Sequence, residues 1–182
     1  MRAFIGIGMQ TEIIEKIYEF QSMLREYTVE GKWTNKENFH ITLKFLGEIQ
    51  PEIVPQIEEA VKKATKGIKP FYLRFSEVGF FKGNKNIRVL WLGTEESKPL
   101  NVLHANIEDE LYKIGFPKEE RKFTSHITIA RDIKLKIGIE EANKLFSQIE
   151  KKDIPVKEIS LYESAVIEGK RKYIPVFTVP LK

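Results

Sequence analysis

Cysteine is absent from this 182-residue chain, and histidine occurs only three times. Neither a disulfide framework nor a thiolate-ligated zinc site can be built, and a reducing compartment, the cytoplasm, is the expectation. Nor does any apolar stretch approach the roughly 18 to 20 residues that would span a bilayer, so no membrane partner is expected. The opening residues, MRAFIGIG, alternate apolar side chains with glycine over too short a run for a secretory signal, and they read as a first strand. Charge of one sign is not in large excess either. A net charge of +4 and a pI of about 9.1 favour an anionic partner without specifying one. Charged residues, mostly Lys and Glu, are what is plentiful. At 31% of the chain they form a solvated, ion-paired surface of the kind common in high-temperature organisms.

The hydrophobic periodicity repeats. Residues 11–27 carry Ile13, Ile14, Ile17, Phe20 and Leu24 at helical spacing, and Phe39 to Leu46 read as a strand. A second helix follows around Ile53, Val54, Ile57 and Val61, with Pro55 tolerable only in its first turn. Two β-rich runs, about 70–81 and 86–93, flank the hairpin-like Lys82-Gly83-Asn84-Lys85. The order then begins again. Ser97 and Pro99 start a helix that Gly115 and Pro117 end, a strand covers 123–131, a helix covers about 139–150, and strands near 154–166 and 172–180 surround Glu168-Gly169-Lys170. No Pro/Gly/Ser-rich linker divides the copies. The expectation is an α+β fold, one domain over 1–182. Two pseudo-twofold lobes, each an antiparallel sheet with helices on its outer face, would enclose a cleft.

Two of the three histidines head a His-x-Thr triplet, at equivalent places in the two copies: NFHITLKFLG at 38–47 and FTSHITIAR at 123–131. In a strand, residues i and i+2 project from one face, so each imidazole points with its hydroxyl. Strict alternation puts His40, Thr42 and Lys44 on one face and Ile41, Leu43 and Phe45 on the other; it also sets His126 and Thr128 opposite Ile127 and Ile129. One such triplet alone is weak evidence, because a lone strand histidine is usually structural. The symmetric pair points to a site. In-line displacement at phosphorus suits it: one imidazole removes a proton from the attacking oxygen while the other protonates the leaving oxygen. Threonine hydroxyls can hold the non-bridging oxygens where other phosphoesterases use a metal. With no cysteine, two usable histidines and no carboxylate at ligand spacing, no metal site is expected.

These residues, with LYESAVIEGKRKYIPVFTVPL at the end, the opening RAFIGI and RVLWLG at 88–93, resemble the 2H phosphoesterase superfamily. The similarity is greatest to RNA 2′,3′-cyclic phosphodiesterases of the LigT type, also called 2′-5′ RNA ligases. That resemblance implies hydrolysis of RNA 2′,3′-cyclic phosphate ends, such as those of tRNA halves, to 2′-phosphomonoesters. It implies no metal or other cofactor, and a monomer is expected. Carried over, His40 is the proton donor and His126 the proton acceptor, while Thr42 and Thr128 bind the phosphate. The reverse reaction would join ends by a 2′-5′ linkage. Lys44 and Arg131 are candidate RNA contacts, although alternation turns Arg131 away from His126 unless a bulge re-aims it. His104, beside the apolar stripe of its helix, reads as a packing residue. Trp33, Trp91, Phe80 and Phe81 are candidates for stacking a base, against the commoner role of strand aromatics as core. Two other readings keep the same cleft: a phosphodiesterase for small cyclic phosphates, such as ADP-ribose cyclic phosphate, and a non-enzymatic RNA-end binding module.

Overall fold

The computed structural model describes residues 1–182. Its strands and helices follow as β1 (Arg2–Gly8), α1 (Thr11–Arg25), β2 (Thr28–Trp33), β3 (His40–Glu48), α2 (Val54–Thr65), β4 (Phe71–Leu73), β5 (Phe75–Lys82) and β6 (Ile87–Thr94). The second half continues with α3 (Lys98–Lys113), β7 (His126–Leu135), α4 (Ile139–Ser147), β8 (Ile154–Val156), β9 (Glu158–Ile167) and β10 (Lys170–Pro180). Helix boundaries obey local chemistry. The Ser97 hydroxyl accepts from Leu100 N at 3.3 Å, Pro99 sits in the first turn of α3, and Gly115 ends it with φ +102°. Likewise α2 begins with Pro55 in its first turn, where the missing N–H has no helical partner to lose. Between β9 and β10, Glu168 and Gly169 take φ +52° and +75°, two left-handed residues in succession that suit a tight hairpin to the twist of its strands. No helix is long and apolar enough to cross a membrane.

Eight strands form one sheet in the order β10-β9-β1-β3-β7-β6-β5, with β2 added beside β7. It falls into two antiparallel lobes that meet at a single residue pair, Ile41 with Ile127. Those are the central residues of the two triplets, so the pseudo-twofold axis passes between them. The lobes exchange elements: β9 from the second half pairs with β1, and β6 from the first half pairs with β7. Helices follow the same exchange, α2 packing with α3 and α1 with α4. They bury apolar stripes such as Ile13, Ile17, Phe20 and Leu24 of α1 or Leu100, Leu103, Ile107 and Leu111 of α3. One cluster of 37 buried residues draws on all four helices and both lobes, so the halves share a core. The periodicity does not foresee β2. Four of its six residues are exposed, which leaves no alternating apolar pattern to read.

Both triplet strands carry the same irregularity. Along β3, Gly6 pairs with Thr42 and Ile5 with Lys44, so Leu43 is passed over; along β7, Trp91 pairs with Thr128 and Leu90 with Ala130, so Ile129 is passed over. Each is a β-bulge, with two consecutive residues turned inward: Leu43 and Lys44 in one strand, Ile129 and Ala130 in the other. Beyond the bulge the alternation is reversed.

Candidate active site

The helices cover the face of the sheet that carries Ile41, Leu43, Ile127 and Ile129, and all four are buried. The opposite face is left concave, and it carries His40, Thr42, His126 and Thr128 into one cavity of about 590 Å³. Antiparallel pairing at Ile41–Ile127 directs each histidine toward the threonine end of the other triplet. Two imidazoles and two hydroxyls therefore line one floor, as expected from their spacing.

Each ring is fixed by the same latch. His40 Nδ1 lies 2.7 Å from Asn38 O, and His126 Nδ1 lies 2.7 Å from Thr124 O. A carbonyl only accepts, so Nδ1 holds the proton in both neutral rings, and Nε2 is the atom left for chemistry. Asn38 is itself tied by its side-chain N–H donating to Arg171 O at 2.9 Å. Aromatic walls complete the clamps. Phe4 packs on the His40 ring at 4.6 Å and Tyr173 meets it edge-on at 4.8 Å, while Phe81 and Trp91 flank His126 at 5.4 and 5.8 Å.

The triplets differ in one bond. Thr42 Oγ1 is 2.8 Å from His40 Nε2, so the hydroxyl donates to the neutral ring; His126 Nε2 makes no hydrogen bond within the protein. Burial pushes the His40 pKa down to about 4; the Asn38 hydrogen bond opposes this, and the charges of His126 and Arg131 add to it. Burial lowers His126 as well, opposed by the Thr124 hydrogen bond and assisted by Arg131.

The bulges decide what else reaches the cleft. Arg131, which strict alternation turns away, is swung onto the histidine face and acts electrostatically on both rings. Lys44 goes the other way, and the expectation that it meets RNA is corrected. Its ammonium is buried between both carboxylate oxygens of Glu108, at 2.9 Å each, and Pro117 O at 2.8 Å. A charge so paired is a structural anchor. Phe45, expected in the core, is instead 68% exposed at the cleft and occupies the place in β3 that Arg131 has in β7. His104 is a packing residue as expected: it stacks on Phe123, centroids 4.0 Å apart, with Nε2 3.8 Å from Glu108. Of the candidate stacking residues, Trp91 and Phe81 wall His126, and Trp33 borders a neighbouring cavity.

A bilobal sheet whose two symmetry-related strands each present a histidine and a threonine to one cleft is the architecture of a two-histidine phosphoesterase. Comparison with known proteins gives the family. The LigT-like phosphoesterase family model matches the chain twice, over residues 7–91 and 92–169, once for each copy of the repeat. The chain is 33% identical over 161 residues to the RNA 2′,3′-cyclic phosphodiesterase of Thermotoga maritima, covering 88% of this chain and 82% of that protein. It is also 33% identical over 172 residues to the protein of the same name from Methanocaldococcus jannaschii, covering 91% and 92%. The crystal structure of E. coli LigT complexed with 3′-AMP superposes with a TM-score of 0.81 at 25% identity, covering 99% of this chain and 97% of that one. The chain belongs to the LigT-like phosphoesterase family, and it is an enzyme.

Proposed function

We propose that the protein hydrolyses RNA 2′,3′-cyclic phosphate ends to 2′-phosphomonoesters by two-histidine acid/base catalysis without a metal. The observation that carries this is the convergence of two Nε2 atoms on one cleft, each ring held by a carbonyl at Nδ1. The names of the relatives supply the substrate class. His126, whose Nε2 is unengaged, takes a proton from water as its oxygen attacks phosphorus. His40, protonated at Nε2, gives its proton to the 3′ oxygen as the P–O3′ bond breaks, leaving a 3′-hydroxyl and a 2′-phosphate. Thr42 and Thr128 donate to the non-bridging oxygens, and Arg131 neutralises charge beside them. In the unliganded site His40 is neutral at pH 7. A phosphodiester anion bound between the rings offsets the repulsion from Arg131 and His126, so substrate raises both pKa values and His40 takes up its proton from solvent as substrate binds. Phe45 offers its exposed ring to the terminal base. Attack by an RNA 5′-hydroxyl in place of water gives the 2′-5′ linkage of the reverse reaction. Both triplets come from one chain, so a single domain acting as a monomer suffices.

The test is hydrolysis of a cyclic-phosphate-ended RNA in EDTA, with the product identified as 2′- or 3′-phosphate by ³¹P NMR. Chelator-resistant formation of the 2′-phosphate is expected; loss of activity in EDTA overturns the mechanism.

A further inference from the structure

A second cavity, of about 540 Å³, adjoins the catalytic one and shares with it a wall of Phe45, Arg131 and Tyr173. Its lining differs in charge. Arg2, Lys32, Arg131 and Arg171 face it and no carboxylate does, whereas the catalytic cavity also holds Glu108 and Glu119. Neither Arg2, Arg131 nor Arg171 has an ion-pair partner in the protein; the Arg171 guanidinium donates only to Ser164 Oγ, at 3.1 Å. Lys32 has a loose contact, 3.9 Å from Asp132, with both groups exposed. Cations gathered without counter-charge repel one another and are held there at a cost in stability that a polyanion would relieve. Trp33, half-buried, also lines this second cavity, with Arg25 over its ring at 5.0 Å. A basic track beside an aromatic face is the combination that binds single-stranded nucleic acid, and the volume lies within the roughly 300 to 1,000 Å³ of ligand sites.

Resting on the functional reading above, we infer that the RNA strand leaves the reaction centre through this second cavity, where Arg2, Lys32 and Arg171 bind backbone phosphate upstream of the terminal nucleotide. A cyclic-phosphate end continues only through its 5′ phosphate, so the strand has one way to go from the triplets. The cavity across the Phe45–Arg131–Tyr173 wall is the continuous one without opposing charge. The enzyme thereby reads polymer as well as end, and a mononucleotide lacks the groups this cavity recognises.

The experiment compares kcat/KM for a trinucleotide and a mononucleotide, both ending in 2′,3′-cyclic phosphate, in the wild type and in Arg2→Ala/Arg171→Ala. The wild type is expected to prefer the trinucleotide, and the double substitution to cut that preference at least about tenfold. Its salt dependence on the trinucleotide should become shallower by roughly 0.7 in log–log slope for each phosphate it no longer neutralises. Mononucleotide turnover by the variant reports that it is folded. No trinucleotide preference in the wild type overturns the inference. So does a preference intact in Arg2→Ala/Arg171→Ala, or one abolished instead in Arg121→Ala/Lys122→Ala, two cations that line the catalytic cavity and not the second one. Wild type that turns over neither substrate overturns the functional reading itself.

Discussion

The first triplet strand and the second share a carbonyl latch, a bulge and a central residue pair, yet what lies beyond each bulge is different. In β3 the inward-turned residue is Lys44 and the cleft residue is Phe45; in β7 the corresponding residues are Ala130 and Arg131. Duplication thus preserves the geometry that positions two imidazoles, while the positions the bulge re-aims have been given separate tasks. One half supplies an aromatic face and the lysine of a buried ion pair closed by Glu108 of α3, and the other supplies the free charge. The hydrogen bonds diverge in the same way, with Thr42 closing on His40 and His126 left open. A symmetric scaffold holds an asymmetric site, as an in-line displacement with distinct acid and base requires.

The sharpest way to break this comparison is to remove one histidine at a time. His40→Ala and His126→Ala are each expected to lower kcat/KM on a cyclic-phosphate RNA by about 10² to 10⁴. The double variant should lose little more than the worse single one, because the two rings act as one unit. Single-turnover assays of the three variants check this, and a single variant near wild-type rate would mean that the halves are not a catalytic pair.

Next in size is the position where the halves differ most inside. Lys44→Met strands the Glu108 carboxylate, which also accepts from Glu119 N at 3.0 Å, in a buried setting. Breaking such a pair costs about 3 to 5 kcal/mol, measurable by chemical denaturation. Salt dependence of RNA turnover should stay unchanged, because the Lys44 ammonium is already held by Glu108 and Pro117 O. The threonines come third. Thr128→Ala removes a donor to the transition state and should cost roughly 10²-fold in kcat. Thr42→Ala does the same and also frees His40 Nε2, so it alone should shift the pH profile.

How much of this is legible in the chain itself follows the same division. The triplets, the ends of α3 and the β9–β10 turn are written in local chemistry, in a two-residue period, a Ser-x-Pro start, and a glycine where φ must be positive. The bulges are not, because neither contains a glycine or proline and an extra residue in a strand has no composition of its own. One signal is present. Strict alternation puts Arg131 among Ile127, Ile129 and Ile133, a charge on an apolar face, and that conflict is what the bulge resolves. Lys44 gives no such warning, since a lysine on a wet face looks ordinary. Only the approach of Glu108 from α3, 64 residues away, reveals its place.

The smallest expected effect separates the two re-aimed positions by pH. Catalysis needs one ring neutral and one protonated, so kcat/KM follows the singly protonated free enzyme, whichever ring holds the proton. Burial first, and Arg131 in addition, keep His40 at about 4 and His126 below its usual 6.5. The bell for kcat/KM should therefore rise near pH 4 and fall before 6.5. The bell for kcat should lie at higher pH, because the bound anion raises both rings. Arg131→Gln removes a positive charge that disfavours imidazolium, so both limbs of kcat/KM should move toward alkaline pH, by a fraction of a unit because burial is the larger cause. Phe45→Leu, at the equivalent place in the other strand, carries no charge to remove. It should weaken binding of the RNA end while leaving both limbs where they were. Steady-state profiles of the two variants between pH 3.5 and 9 decide it: equal shifts would mean that the two bulge positions do the same work, and a shift confined to Arg131→Gln would mean that they do not.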